Sequence, residues 1–90
     1  MRKYFEIPEA NFFSCSFTIG KISYRATFRK LSTSEKYIWT VRDTEGVEIF
    51  TDLYLSNGVN YADLFADFEP DTTLKVIEAN GRKYLETDGA

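Results

Sequence analysis

Four carboxylates gather in one short stretch of the sequence, and they are the first candidates for chemistry. This acidic cluster holds Asp63, Asp67, Glu69 and Asp71. Paired carboxylates serve as acid and base in glycosidases, and several together bind divalent cations. However, the spacing matches no calcium-binding loop, and nothing else in so short a chain supplies a sugar cleft. We therefore expect the cluster to be a solvated polar face that binds no metal.

The other residue types exclude most enzymatic and cofactor chemistry. The chain has no histidine, which removes the commonest general base and metal ligand. Its serines and threonines therefore lack a base partner, and its five glycines form no phosphate-binding loop. The single cysteine, Cys15, forms no internal disulfide and is expected to be a small core residue rather than a nucleophile. The sequence thus predicts a non-enzymatic protein that needs no cofactor.

Basic residues are concentrated in the first half of the chain. Residues 1–42 hold eight bases and three acids, whereas residues 43–90 hold three bases and eleven acids. Lys21, Arg25 and Arg29 alternate along one predicted strand, so we expect all three to project from the same face.

This basic stripe has three possible uses. A single-stranded nucleic-acid site would combine it with exposed aromatic rings, but Tyr24 and Phe28 fall on the opposite, buried face. A solvated strand face paired with neighbouring acids is one remaining interpretation. The other is an interface in which Lys21, Arg25 and Arg29 meet an acidic surface on a neighbouring subunit. For such an interface the partner-binding candidates are these three bases and Asp63, Asp67 and Glu69, and no nucleic-acid partner is expected.

Period-two alternation of apolar and polar residues predicts the strands that position these groups. Residues 13–19 and 22–29 form an antiparallel hairpin, and residues 37–42 form a strand anchored in the core by Trp39. A turn at residues 43–46 leads into a strand over residues 47–55. In that strand we expect Phe50 and Tyr54 on one face, opposite Ile49, Leu53 and Leu55. The fifteen aromatic residues exceed what a small core needs, which indicates a sheet buried on both sides or burial in an assembly.

The last third of the chain combines a helix with a hairpin. Asn60 caps a predicted helix of about nine residues with Tyr61, Leu64, Phe65 and Phe68 on one stripe, and Pro70 ends it. Asn80-Gly81 joins strands over residues 73–79 and 82–87. Residues 1–8 are an optional edge strand, and residues 87–90 a short flexible tail. The expected fold is mainly β, a small single-domain antiparallel barrel or sandwich of about six or seven strands with one short helix and a core over residues 5–86.

No segment suggests a membrane or an export signal. The uncharged run over residues 11–20 is half the length of a membrane span. The charges Arg2 and Lys3 are followed within a few residues by Glu6, Pro8 and Glu9, which is unlike a signal peptide. We expect synthesis in the cytoplasm and no membrane partner.

In the order of its features, the chain resembles the small baseplate plug proteins of contractile-tailed bacteriophages. The similarity spans roughly residues 5–86 and is carried by Phe17-Thr18-Ile19-Gly20-Lys21, Tyr24-Arg25-Ala26-Thr27-Phe28, Tyr37-Ile38-Trp39-Thr40-Val41-Arg42-Asp43, Glu45-Gly46, Leu53-Tyr54-Leu55, Gly58, Asn60-Tyr61, Asp63-Leu64 and Leu74-Lys75-Val76. The stretch from Tyr61 to Phe68 is more acidic and more helix-like than in that family.

This resemblance implies a structural virion protein near the tube end of the tail baseplate. It implies contacts with hub and tube proteins and several copies in each particle, and therefore contacts between copies. The alternative hypothesis is a small phage-encoded inhibitor or anti-defence protein that binds a host factor, because short acidic domains without ligands suit that role too.

Overall fold

The computed structural model describes residues 2–31 and 36–89, so most of the expected polar connection at residues 31–36 lies outside the described part. The described residues form β1 (Lys3–Ile7), β2 (Phe12–Ile19), β3 (Ile22–Lys30), β4 (Tyr37–Asp43), β5 (Glu48–Tyr54), a one-turn 3₁₀ helix (Tyr61–Leu64), β6 (Thr73–Ala79) and β7 (Arg82–Asp88). The strands form two antiparallel sheets with the orders β1-β7-β6 and β2-β3-β4-β5. The prediction of a mainly β fold with six or seven antiparallel strands is confirmed.

The elements group into two compact units, one around each sheet. The three-stranded unit also contains the β2–β3 turn, Ile19–Lys21. The four-stranded unit contains the remainder of β2 and all of β3, β4 and β5.

Stacked aromatic rings form the core of the four-stranded unit. Phe28 lies directly opposite Trp39 in the register of β3 and β4, and their ring centroids are 5.3 Å apart. Phe13 stacks on the outer side of Phe28 at 6.0 Å, and Phe50 meets the Trp39 ring edge-on at 5.0 Å. Trp39 is 1% exposed, which confirms its predicted role as a core anchor. The same strand also buries Ile38 and Thr40 on its other face, where the neighbouring Arg25, Arg29 and Tyr54 are exposed.

The predicted face of Phe50 is wrong, because β5 is bulged. Val41 lies opposite Phe50 and Trp39 lies opposite Leu53. From one pair to the next, β5 advances by three residues while β4 advances by two, so β5 contains one extra residue. Asp52 in this segment adopts φ 51°, a left-handed conformation that suits a bulge. Each extra residue reverses which side chains face the core, and Phe50 therefore turns inward to 5% exposure.

The three-stranded unit has an aliphatic core on β6 and β7. Leu74, Val76 and Leu85 are fully buried, and Asn80-Gly81 turns the hairpin with φ 54° and 76°. These positive φ values are those of a type I′ turn, which explains why Asn-Gly predicted the hairpin correctly. β1 pairs with β7 at the edge of this sheet, as expected of the optional N-terminal strand.

Residues 87–89 do not form the expected flexible tail, and residue 90 lies outside the described residues. Thr87, where we expected a flexible tail to begin, is buried in β7, and Asp88 ends that strand. A Cβ on Gly89 would lie 2.5 Å from Cγ2 of Ile19, so the backbone here packs against the β2–β3 turn.

The predicted nine-residue helix is wrong in length and in type. Only one 3₁₀ turn forms, and Phe65 already has extended dihedral angles (φ −132°, ψ 134°). Tyr61 and Phe68 are buried as predicted, whereas Leu64 is exposed. A segment this short gains too little from helical hydrogen bonds to offset nucleation, so the packing of Tyr61 and Phe68 decides its path.

Candidate protein-interaction surface

The predicted basic stripe lies on the exposed side of β3. Arg25 and Arg29 are exposed, and in the register with β4 they stand opposite Arg42 and Ile38. Side chains that oppose one another across antiparallel strands share a face, so Arg25, Arg29 and Arg42 form one surface, which we call the basic face. The opposite side of β3 carries Tyr24, Ala26 and Phe28, all buried in agreement with the alternation of the sequence.

The charge of the basic face is only partly neutralised. Arg42 forms an ion pair with Glu48 on β5, with 3.0 Å between Nη2 and Oε2. Among the described residues, Arg25 and Arg29 have no carboxylate within ion-pair distance. Arg25 also lies directly opposite Arg42, an arrangement of like charges that costs stability. A partner that supplies carboxylates would relieve this repulsion.

An exposed tyrosine lies on the same face as Arg29. The buried Ile38 of β4 stands opposite Arg29 on one side and opposite Tyr54 of β5 on the other, and Tyr54 is 61% exposed. Lys36 places its Nζ 5.7 Å from the centre of that ring. Arginine beside an exposed tyrosine is the combination enriched in protein-interface hot spots. The sequence marked Tyr54 only as a surplus aromatic residue, because its neighbour in space comes from another strand.

The prediction that Lys21 lies on the same strand face as Arg25 and Arg29 is wrong. It is exposed, but it lies in the β2–β3 turn rather than on β3, and it groups with the three-stranded unit. The turn residue Gly20 has φ 61°, so the strand alternation that relates Arg25 to Arg29 does not extend back to Lys21.

The predicted acidic partner residues are exposed in the three-stranded unit. Asp63 lies in the 3₁₀ turn, and Asp67 and Glu69 follow it in irregular chain. Within residues 2–31 and 36–89, no three carboxylate or cysteine side chains converge on a point where a metal ion would bind. Binding of a partner through these acids stays a prediction.

β7 carries a buried ion-pair cluster that no pattern in the sequence indicates. The Glu86 side chain is 6% exposed, and its carboxylate contacts Arg2 at 3.0 Å and Lys75 at 3.6 Å. Tyr4 donates its hydroxyl hydrogen to the same carboxylate at 3.3 Å. The carboxylate raises the pKa of Arg2 above its ordinary value. Both carboxylate oxygens of Glu86 contact a cation, so we assign this cluster to the stability of the sheet.

The burial of Cys15 makes the free energy of unfolding depend on pH. It is half-buried, and burial raises the pKa of its thiol above the ordinary 9.0. The folded chain therefore holds the thiol proton at a pH where the unfolded chain releases it. The thiol's contribution to the free energy of unfolding should be complete below pH 9 and should fall as pH rises through the folded pKa. Urea denaturation of wild type and Cys15→Ala between pH 7 and 10 checks this, and parallel curves for the two proteins would contradict it.

Comparison with protein-family models, with curated proteins and with solved structures finds no match for this chain. Of the described residues, none lies in a helix long and apolar enough to cross a membrane.

Proposed function

We propose that this chain is a small structural protein of a contractile phage tail, a plug-like component near the tube and hub of the baseplate. It acts without catalysis, through contacts with hub and tube proteins and with copies of itself. The observation that carries the proposal is the basic face, where Arg25 and Arg29 are exposed beside Arg42. The resemblance in the order of sequence features supplies the setting.

The physical support is a basic surface whose charge is only partly neutralised within the described part of the chain. Arg25 and Arg29 have no carboxylate neighbours there, so an acidic partner would add attraction that the chain itself does not supply. The exposed Tyr54 next to Ile38 supplies apolar contact at the edge of this charged surface. Such a pairing of charge and aromatic area suits protein recognition.

The first experiment locates the protein. Mass spectrometry of purified virions from the phage that encodes the chain should detect it in a fixed ratio to the tube protein. A free inhibitor of a host factor would instead be missing from virions and would copurify with that factor from infected cells. This second outcome would replace the proposed function by the alternative one.

Reversing the charge of the basic face should prevent assembly without unfolding the chain. We expect the double variant Arg25→Glu with Arg29→Glu to be lost from virions by at least tenfold, because like charges then face the acidic partner. Single substitutions should do little, since one exposed ion pair contributes only about 0–1 kcal/mol. The measurement is incorporation of the variant into particles when it is supplied in place of the wild type.

The control for this variant has the same change in net charge on the other sheet. Lys3→Glu with Arg82→Glu alters two exposed bases of the three-stranded unit and should be incorporated normally. Circular dichroism must show the wild-type spectrum for both variants. Normal incorporation of the Arg25 and Arg29 variant would remove the assembly role from the basic face, and equal loss of both variants would show that only net charge matters.

A further inference from the structure

The four sheet edges of the described chain differ in how they are protected against pairing with another strand. β1 is only five residues long, carries Lys3 and Glu6 and is followed by Pro8. β5 carries Glu48 and Asp52 and is bulged. Charges, prolines and bulges are the usual features that prevent edge-to-edge association.

β6 is protected by charge and by a neighbouring segment. It carries Lys75 and Glu78, and Asn57 bridges Val76 on the side away from β7. Gly58 donates its N–H to the Val76 carbonyl at 2.9 Å. This edge is therefore partly occupied by the chain itself.

From Phe12 to Phe17, β2 has none of these features, and only its last residues approach the β2–β3 turn against which Gly89 packs. It is eight residues long, it contains no charge, proline or glycine, and it pairs only with β3 among the described strands. Phe12 at its start is 63% exposed, and Ser14 and Ser16 are exposed too. A long, uncharged and exposed edge is the template on which another strand adds.

The hydrogen bonds of β2 fix which of its backbone groups point outward. Lys30 on β3 donates its N–H to the carbonyl of Asn11 at 2.8 Å, and the ring pair of Phe13 and Phe28 continues the same register. In an antiparallel pair, alternate residues turn their N–H and C=O groups toward the neighbouring strand. Asn11, Phe13 and Cys15 therefore face β3, while Ser14 and Ser16 direct their backbone groups to the open edge.

We infer that this edge pairs with β2 of a second copy, antiparallel and centred on Cys15. That register places the exposed Ser14 opposite Ser16 of the other copy, so polar meets polar on one face. On the other face the half-buried Phe13 stands opposite Phe17, which its own chain already buries. Ser14 and Ser16 of the two copies then exchange about four main-chain hydrogen bonds. Phe12 comes opposite Thr18, an aromatic and β-branched pair of the kind that stabilises sheets. A register centred on Ser16 would instead place Phe12 opposite Gly20 in the turn, where it has no side chain to contact.

A second copy fits this edge better than a foreign strand with charged side chains. Any charge brought opposite Phe13 or Cys15 would be half-buried without a counter-ion, whereas β2 itself brings none. The two-fold axis runs perpendicular to the sheet, so both copies present their basic faces on the same side. Pairing thus doubles the surface that carries Arg25 and Arg29. The inference specifies how copies of the chain contact one another, and it rests on the proposed function for the place where they do so.

The test uses the purified chain and its own cysteine. Sedimentation equilibrium should give twice the 10.4 kDa monomer mass. Cys15 would face Cys15 of the other copy at a non-hydrogen-bonded position, where Cα atoms lie about 4.5 Å apart, within disulfide range. Mild oxidation with copper phenanthroline should therefore link the copies through Cys15, as seen on a non-reducing gel. A monomer at 100 μM, or a dimer that does not crosslink, would overturn the inference.

Charged variants of the edge provide the second arm. Ser14→Lys with Ser16→Lys puts like charges opposite each other and should weaken association by at least tenfold. The control is Thr44→Lys with Thr51→Lys, which adds the same charge at the β5 edge and in the turn before it and should leave association unchanged. Mixing the first variant with Ser14→Glu and Ser16→Glu should restore a mixed dimer, which an unfolded variant would fail to do. Unchanged association of the Lys variant would overturn the inference.

A dimer in solution that is absent from virions would contradict the proposed function alone, and a monomer found in virions would contradict this inference alone.

Discussion

Trp39→Ala is expected to leave the chain unfolded. Trp39 is 1% exposed and lies between the rings of Phe28 and Phe50. Truncating a buried tryptophan or phenylalanine costs about 3–5 kcal/mol, from lost apolar burial and from the cavity that remains. Small domains have a total stability of about 5–15 kcal/mol, so the loss is comparable with the whole in a chain of this size. Thermal unfolding followed by circular dichroism measures the effect.

The matched control is Tyr54→Ala on the same sheet. Tyr54 also carries a large aromatic ring, but it is mostly exposed, so its removal should change the free energy of unfolding by less than about 1 kcal/mol. Trp39→Phe should fall between the two, because it keeps one aromatic ring in the stack. A folded Trp39→Ala variant that has lost only partner binding would show that Trp39 contributes to an interface instead of the core.

Asn60→Ala should produce the next largest loss, about 2–3 kcal/mol. The Asn60 Oδ1 accepts the N–H of Leu74 at 2.8 Å and that of Ala62 at 3.3 Å, while its Nδ2 donates to the carbonyl of Thr72 at 3.0 Å. Leu74 is fully buried, so its N–H would lose a partner where water does not replace it. Urea denaturation gives the loss as a lower midpoint with an unchanged slope.

Asn60→Asp separates the two functions of this side chain. The carboxylate keeps the acceptor for Leu74 and Ala62 but loses the donor to Thr72, and it faces that carbonyl with a negative charge. We expect it to be less destabilising than alanine. A loss of only about 1 kcal/mol in the alanine variant would show that Asn60 acts only as a cap, as the sequence alone suggests.

The candidate interaction surface was predictable where a single strand determines it. Alternation along β3 placed Arg25 and Arg29 outward and Tyr24 and Phe28 inward, and the structure agrees. It did not reveal Arg42 opposite Arg25, because that neighbour comes from the register with β4. The Glu86 cluster was missed for the same reason, since Arg2 and Tyr4 approach it from the other end of the chain.

The sequence by itself determined the strands and the tight turns, because their causes lie within a few residues. Alternation is set by the pleat of one strand, and Asn80-Gly81 accepts the positive φ of its turn without help from elsewhere. Likewise the Asp43 carboxylate accepts the N–H groups of Glu45 and Val47 at 2.9 Å, which fixes the predicted turn locally.

Only the tertiary structure decided the inward face of Phe50, the short turn after Asn60 and the strand neighbours of Glu86. Each depends on which segments meet: the bulge of β5 forms against β4, and Asn60 is bound by residues beyond position 70. A pattern within one segment states which residues alternate, but the partner strand sets the register, and one inserted residue reverses every face that follows. Long-range register therefore appears only when the strands are paired.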